Sequence, residues 1–313
     1  MTGQTSPGSA SVGPLQKLHI ASNLKPLARS GRNWTLWAGP LVSIAILAVA
    51  LFQFRDLDAA GLWALLPSSA VFWITFAAYY TAGPVSEWII FRRLWSIPAS
   101  GFGALLRKLV SNEILLGYLG EVYFYAWARR SAAIKATPFG ALKDVTILSA
   151  LVGNVVTLAM VIVAIPLLNQ LWGKELGWQV ESSALFVLAT SAAILVFRNR
   201  LFTLPRDALW FVAFVHFLRI VAVTVLAGVM WHLLLPSVSL SMWILLGTMR
   251  QLISRLPLIP NKDIVFAGLA AFMIGHDSQI ASAMALMATL ILAAHLIVGM
   301  ALGASGILRG SKA

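Results

Sequence analysis

Two carboxylates, Glu113 and Glu121, lie within the apolar and aromatic segment Ser111–Arg130. An ionisable side chain at membrane depth is costly, so it is usually paired, lines a cavity or takes part in function. If this segment is one helix, Glu113, Gly117, Glu121 and Tyr125 recur every fourth residue and share one face. The two carboxylates could then each meet a separate cation or a group of a lipid headgroup.

Small and polar residues flank the two acids. Asn112 and Gly120 lie beside the acidic face, and Gly117 and Gly120 would let another backbone or a lipid tail approach closely. An alternative for Glu121 is a buried ion pair with an arginine that serves packing alone. An alternative for Glu113 is a position at the membrane interface.

Three arginines are candidates for binding an anion. Arg219 lies near the middle of a predicted span, and a guanidinium can grip a phosphate or a carboxylate with two parallel hydrogen bonds. Arg219 is therefore the expected partner of Glu121 or of an anionic phosphate. Arg250 and Arg255 precede a proline-containing break, where they could face a headgroup cavity or serve as ordinary cytoplasmic anchors.

The sequence lacks the signatures of metal, nucleotide and thiol chemistry. Its five histidines never show a paired ligand spacing such as HExxH, and it contains no Walker loop. It has no cysteine, so there is no disulfide, thiolate metal site or cysteine nucleophile. We expect no metal and no cofactor, and a transporter-like role is favoured over an enzymatic one.

The composition indicates that these residues lie in a membrane protein. The chain has 313 residues, 59% hydrophobic and 11% charged, with a mean hydropathy of +0.85. A soluble domain typically carries about 25% charged residues. The sequence predicts an all-α, polytopic integral membrane protein with about eight transmembrane helices plus a re-entrant or broken helix element.

The predicted domains are a disordered cytoplasmic tail over residues 1–32, one transmembrane domain over 33–304 and a cytoplasmic tail over 305–313. The re-entrant or broken element is Pro98–Arg130, the second span is expected to end at Gly83-Pro84, and Asn169–Glu181 is expected to be an outer loop. Whether the interrupted region Arg250–Asp277 forms a second site is left open. The predicted spans are Trp34–Phe54, Leu62–Ala82, Val145–Leu168, Ser182–Phe197, Leu209–Leu235, Ser241–Leu256, Ile264–Ile274 and Gln279–Leu302.

Basic residues are distributed unevenly between the two predicted sides of the membrane. Of 23 lysines and arginines, 20 fall on segments assigned to one side, and such a bias marks the cytoplasmic side. Both termini are therefore predicted to be cytoplasmic, and the predicted location is a bacterial inner membrane. The net charge of +12 suits anionic headgroups, and no nucleic acid partner is expected.

Two short motifs carry a family resemblance. Asn112, Gly117, Gly120 and Glu121 match an asparagine followed by a glycine-containing "GE" motif, and Leu256–Pro260 matches a proline-containing break in the second half. With these motifs and its order of spans, the chain resembles the transmembrane, flippase-like region of lysylphosphatidylglycerol synthases and their stand-alone relatives.

The chain departs from this family pattern at two places. Aromatic residues, Tyr123–Tyr125, stand where an arginine usually follows the glutamate, and Asn261–Asp263 stand where glycines follow the second break. The later glutamate of the family pattern is also missing around Phe266-Ala267. Only the role of Glu121 can therefore be carried over from the family.

The resemblance implies binding and transbilayer movement of an anionic lipid or lipid-linked intermediate, without lysyl transfer. Movement would run down a gradient or couple to protons through Glu121. One alternative is a membrane-embedded transferase that modifies a lipid headgroup with Glu121 as general base. Another is a non-catalytic partner of a lipid biosynthesis complex. The expected partner is a membrane lipid, and both a homo-oligomer and a biosynthetic partner protein remain open.

Overall fold

The computed structural model describes residues 66–115, 119–130, 138–172, 177–255, 273 and 277–310. Within these residues the regular structure is entirely helical, as predicted. The predicted tail 1–32, the predicted first span, Trp34–Phe54, and residues 311–313 of the predicted tail 305–313 lie outside them, whereas residues 305–310 of that tail belong to a helix. The helices are α1 (Ala70–Trp95), α2 (Ser100–Ile114), α3 (Leu119–Arg130), α4 (Pro138–Trp172), α5 (Gly177–Val196), α6 (Arg198–Leu201), α7 (Arg206–Leu234), α8 (Leu240–Arg255) and α9 (Asp277–Gly310).

Three helical stretches in the described part are long and apolar enough to cross a membrane: Phe139–Met160, Arg206–Leu234 and Leu286–Ala304. Large apolar side chains, including Trp210 and Phe214, are exposed on them, as expected for surfaces that contact lipid. The chain therefore has the helices of a membrane protein. The predicted count of eight crossings stays a prediction.

Helix α1 continues through the point where the second span was predicted to end. It contains Pro84 and runs to Trp95, where Ser96 adopts a left-handed conformation (φ 52°) and its N–H donates to the Arg92 carbonyl. Proline inside a helix removes one hydrogen bond, so packing must hold the helix together here. Ile90 and Trp95 beyond the proline are buried. The prediction of an end at Gly83-Pro84 was wrong because tertiary packing outweighs this local signal.

A cluster of buried apolar side chains, called here the Trp243 cluster, joins one end of α1 to one end of α7. It contains Phe72 and Phe76 from the start of α1 and Met230 and Trp231 from the end of α7, with residues of α8 and α9. The indole rings of Trp231 and Trp243 stack at a centroid distance of 5.2 Å.

A second cluster, called here the Phe124 cluster, joins the other ends of the same two helices. It contains Ile90 and Phe91 from the end of α1 and Val212 and Val215 from the start of α7, with residues of α2, α3 and α4. Since each cluster pairs the start of one helix with the end of the other, α1 and α7 run antiparallel.

Buried and half-buried polar side chains lie beside these apolar clusters. The midpoint of α7 is Ile220, so Arg219 lies about 20 Å from either end of a helix long enough to span a bilayer. On α1 the Tyr80 hydroxyl contacts His295 Nδ1 of α9 at 3.0 Å. This set, called here the polar layer, comprises Tyr79, Tyr80, Glu87, Lys108, Glu121, His216, Arg219, Thr224 and His295.

Helix α4 is bound to the start of α7 by a buried carboxylate. Asp144 Oδ2 accepts hydrogen bonds from the Thr203 and Leu204 N–H groups at 2.7 and 2.8 Å and from the Thr203 hydroxyl at 2.9 Å. Lys143 donates to the Leu201 carbonyl beside it. At its other end α4 extends to Trp172 and α5 begins at Gly177, so most of the predicted outer loop 169–181 is helical.

Candidate functional site

Helices α2 and α3 form an antiparallel hairpin. The Gly120 N–H donates to Asn112 Oδ1 at 2.7 Å, and Arg107 Nη1 donates to the Tyr123 hydroxyl at 3.2 Å. With 15 residues, α2 is about 22 Å long, too short to cross a hydrocarbon core of about 30 Å. Helix α2 ends at Ile114 and the chain reverses after it, so the predicted element Pro98–Arg130 is broken, and its re-entry into the membrane stays a prediction.

The reversal of the chain separates residues that were predicted to share a face. Glu113 belongs to α2, whereas Glu121 and Tyr125 belong to α3, and Gly117 lies outside the described residues. The expectation of one continuous helical face was therefore wrong. It failed because the period of four was counted across the point at which the helix ends.

Gly120 is the point of closest approach between the two arms. A Cβ built on it would lie 2.1 Å from the Lys108 carbonyl oxygen and 2.7 Å from Asn112 Oδ1. Only a residue without a side chain allows this spacing, because real Cβ atoms essentially never come closer than 3.0 Å. The contact fixes Lys108 on α2 opposite Glu121 on α3.

Lys108 lies between two carboxylates. Its Nζ is 2.7 Å from Glu87 Oε1 of α1 and 3.5 Å from Glu121 Oε1. The lysine side chain is only 7% exposed, and the glutamates are 17% and 21% exposed, so solvent screens these charges weakly. Glu121 Oε2 is buried and has no hydrogen-bond partner in the structure.

The predicted pair of Glu121 and Arg219 is not formed. Glu121 faces Lys108, and Arg219 Nη2 donates to the Ser149 hydroxyl of α4 at 2.9 Å. Arg219 also lies within electrostatic range of Glu87. The correction has a geometric cause, because the hairpin brings its own lysine closer to Glu121 than the long helix α7 brings its arginine.

A cavity of about 230 Å³ is bordered by this triad and by one face of α4. Arg219 reaches its wall through Ser149, and Ala150 at its border is exposed. The cavity is therefore lined by members of the polar layer and is bordered by an exposed residue of α4. Its lining residues are Glu87, Lys108, Glu121, Val145, Thr146, Ser149 and Ala150.

The other residues predicted for the site lie outside this cavity. Glu113 is exposed near the end of α2, and Tyr125 packs edge-on against Phe139 with the Arg129 guanidinium over its ring. Asn112 and Gly120 hold the hairpin together without lining the cavity.

Arg250 and Arg255 lie on α8, whose described residues pack along about half the length of α7. Helix α8 is antiparallel to α7, since Ile244 packs on Gly228 while Gln251 Oε1 accepts a hydrogen bond from the Thr224 hydroxyl at 3.0 Å. The described part of α8 reaches Arg255, near the middle of α7, and the side chain of Arg255 lies outside the described set. The 16 residues of α8 correspond closely to the crossing predicted for Ser241–Leu256 and are about 24 Å long.

The tip of the hairpin and α8 both approach the middle of α1. Glu113 near the tip of the hairpin and Arg250 on α8 both lie within electrostatic range of the Tyr79 hydroxyl. Tyr79 lies near the middle of α1. The tip of the hairpin and α8 therefore lie near each other at the level of Tyr79, and residues 256–272 lie outside the described part.

Sequence reasoning missed Glu87 and Lys108, which form the shortest ion pair of the cavity. Lys108 was counted only as a topological charge, and Glu87 was placed beyond the expected end of a span. One signal could have identified Glu87, because it is the only acidic residue between Asp58 and Glu113 and it lies in an apolar, aromatic stretch.

Among the described residues, no group of three histidine, aspartate or glutamate side chains could hold a metal ion. Comparisons with protein-family models, with curated proteins and with solved structures found no match. The resemblance to the transmembrane region of lysylphosphatidylglycerol synthases therefore stays a prediction.

Proposed function

We propose that this chain binds an anionic lipid or lipid-linked intermediate and moves it across the membrane. The observation that carries the proposal is the charged cavity beside the exposed Ala150 of α4. A headgroup could enter such a cavity while its acyl chains remain in the bilayer. At about 230 Å³ the cavity is smaller than pockets for drug-sized ligands, which measure about 300–1,000 Å³, so it suits a headgroup better than a whole lipid.

The charges of the cavity favour a phosphate-bearing headgroup. Lys108 and Arg219 are within reach of its walls, and a guanidinium and an ammonium are the usual protein ligands of phosphate. Ser149 and Thr146 add hydroxyls that can donate to phosphate oxygens. A neutral sugar or a sterol has no charge that could pair with the ammonium of Lys108 or the guanidinium of Arg219.

The two short elements support movement of the bound group. In transporters, discontinuous helices that end near the bilayer midplane commonly form the substrate site, and rocking of one half against the other exposes it to each side in turn. The tip of the α2–α3 hairpin and α8 both lie within electrostatic range of Tyr79, near the middle of α1. Irregular backbone at this depth is tolerated only where protein or a cavity surrounds it.

A bacterial inner membrane with both termini in the cytoplasm is the proposed location. Basic side chains gather where the Phe124 cluster lies, at helix ends that include Arg92, Arg93, Arg129, Arg130, Lys143 and Arg206. Reporter fusions at Met1, at Ala313 and within residues 169–181 test this orientation. We expect cytoplasmic activity at both termini; a C-terminal fusion active only outside the cytoplasm would contradict it.

Substitution of Glu121 and of Arg219 tests the function. In vesicles that contain the purified protein and a fluorescent anionic lipid, Glu121→Gln and Arg219→Lys are each expected to lower transbilayer movement at least about tenfold, the factor that about 1.4 kcal/mol represents. Glu121→Gln keeps the size of the side chain but removes its charge, and Arg219→Lys removes the planar fork.

Asp207→Asn is the matched control, because Asp207 is an exposed acid at the start of α7, and its rate should equal that of the parent. Parental rates in both cavity variants would refute the central site and move attention to Arg250–Asp263. Recovery of a chemically altered headgroup would instead favour the transferase.

A further inference from the structure

The charges of the side chains in and beside the cavity balance one another. Glu87 and Glu121 contribute two negative charges, and Lys108 and Arg219 contribute two positive ones. An anion that enters brings a net negative charge into a partly buried space, where charge imbalance is expensive. Binding must therefore be accompanied by the loss of a carboxylate charge or by the entry of a cation.

The two carboxylates differ in how closely they contact the Lys108 ammonium. Glu87 holds Lys108 at 2.7 Å, the length of a strong charge-assisted hydrogen bond. Glu121 lies farther from the same ammonium, at 3.5 Å, and its buried Oε2 has no partner. If an incoming phosphate draws the ammonium away, Glu121 loses its only ion pair among the described residues, whereas Glu87 still faces Arg219.

Resting on the proposed function, we propose that Lys108 is the phosphate ligand of the cavity, that Glu87 occupies it while the cavity is empty, and that Glu121 takes up one proton for each anion bound. Glu87 thus acts as an internal substitute for the substrate. The uptake of one proton restores the balance of charge, because the monoanionic phosphate adds one negative charge and protonation of Glu121 removes one.

Among the described residues around Glu121, no other group is placed as well to take up this proton. Helix α1 contributes Glu87, α2 contributes Lys108, and α7 contributes Arg219 and the fully buried His216, which lies within electrostatic range of both cations. The charged pair of α4 is Lys143 and Asp144, and both side chains make hydrogen bonds to the segment before α7. His216 does not line the cavity, whereas Glu121 borders it, which leaves Glu121 as the group that gains the proton.

Titration calorimetry of the purified full-length protein in neutral detergent tests the proposal with dihexanoyl-phosphatidylglycerol as the probe. Repeating the titration at one pH in buffers of different ionisation enthalpy counts the protons taken up per probe bound. We expect about one proton for the parent protein. Because protons are taken up on binding, affinity should weaken as the pH rises, by up to about tenfold per pH unit.

Three variants separate the roles of the triad. Glu121→Gln should bind the probe with no proton uptake and with an affinity that no longer depends on pH. Glu87→Gln should bind at least about fivefold more tightly, because the lysine no longer has to leave an ion pair. The double variant Lys108→Gln/Glu87→Gln keeps the charge balance and should lose at least about tenfold in affinity.

Arg130→Gln, which removes an exposed cation from the end of α3, serves as the control for surface charge and should match the parent. Binding without proton uptake in the parent would overturn the proposal while leaving lipid binding intact. Unchanged affinity in the double variant would overturn the role of Lys108. If the parent binds neither this probe nor vesicles of anionic lipid, the proposed function itself fails.

Discussion

Gly120→Ala is expected to destabilise the α2–α3 hairpin strongly and to abolish lipid movement. The new Cβ would lie 2.1 Å from the backbone carbonyl oxygen of Lys108, so the two arms would have to move apart. Overpacking of this kind typically costs about 1–3 kcal/mol, and more where backbone must shift. The shift would also displace Lys108 from Glu121. Thermal unfolding in detergent and transport in vesicles measure the two effects.

Gly103→Ala is the matched control for this prediction. Gly103 lies on the same hairpin, but a Cβ there would meet nothing within 4 Å. Alanine in a helix is favoured over glycine by about 0.5–1 kcal/mol, so this variant should be slightly more stable than the parent and equally active. If Gly120→Ala were as stable as Gly103→Ala, the close contact of the two arms would be disproved.

The long helices could be predicted closely from hydrophobic composition. The expected span Leu209–Leu235 corresponds to α7, Arg206–Leu234, and the expected span Gln279–Leu302 lies within α9. Continuous apolar stretches of this length leave few alternatives in a membrane. Signals that rest on single residues were less reliable, because Pro84 lies inside a helix that packing holds together.

The candidate site could be predicted only in part. The acids of Ser111–Arg130 were singled out by their cost in an apolar segment, and Glu121 does border the cavity. Its partner could not be found in this way, since Lys108 and Glu121 meet only because the chain reverses between them. A helical period carries no information about where a helix ends, so the sequence pattern placed Glu113 on the same face as Glu121 when they belong to different arms.

Lys108→Gln is expected to be among the most destabilising single changes in the described part of the chain. It leaves the carboxylates of Glu87 and Glu121 close together without the ammonium that lies between them. Loss of one partner from a buried ion pair typically costs about 3–5 kcal/mol, because an uncompensated charge remains. Thermal or denaturant unfolding in detergent, at a pH where both carboxylates are ionised, measures this loss.

The double variant Lys108→Gln/Glu87→Gln distinguishes a true ion pair from two independent effects. If Glu87 and Lys108 interact as their 2.7 Å contact indicates, removing both charges should recover more than half of the stability lost in Lys108→Gln, since one uncompensated carboxylate then remains instead of two. Coupled residues typically show interaction energies of about 0.5–3 kcal/mol, whereas independent sites are additive within about 0.5 kcal/mol. Strict additivity would mean that the lysine is not held by Glu87, and the view of Glu87 as an internal substitute for an anionic headgroup would fail with it.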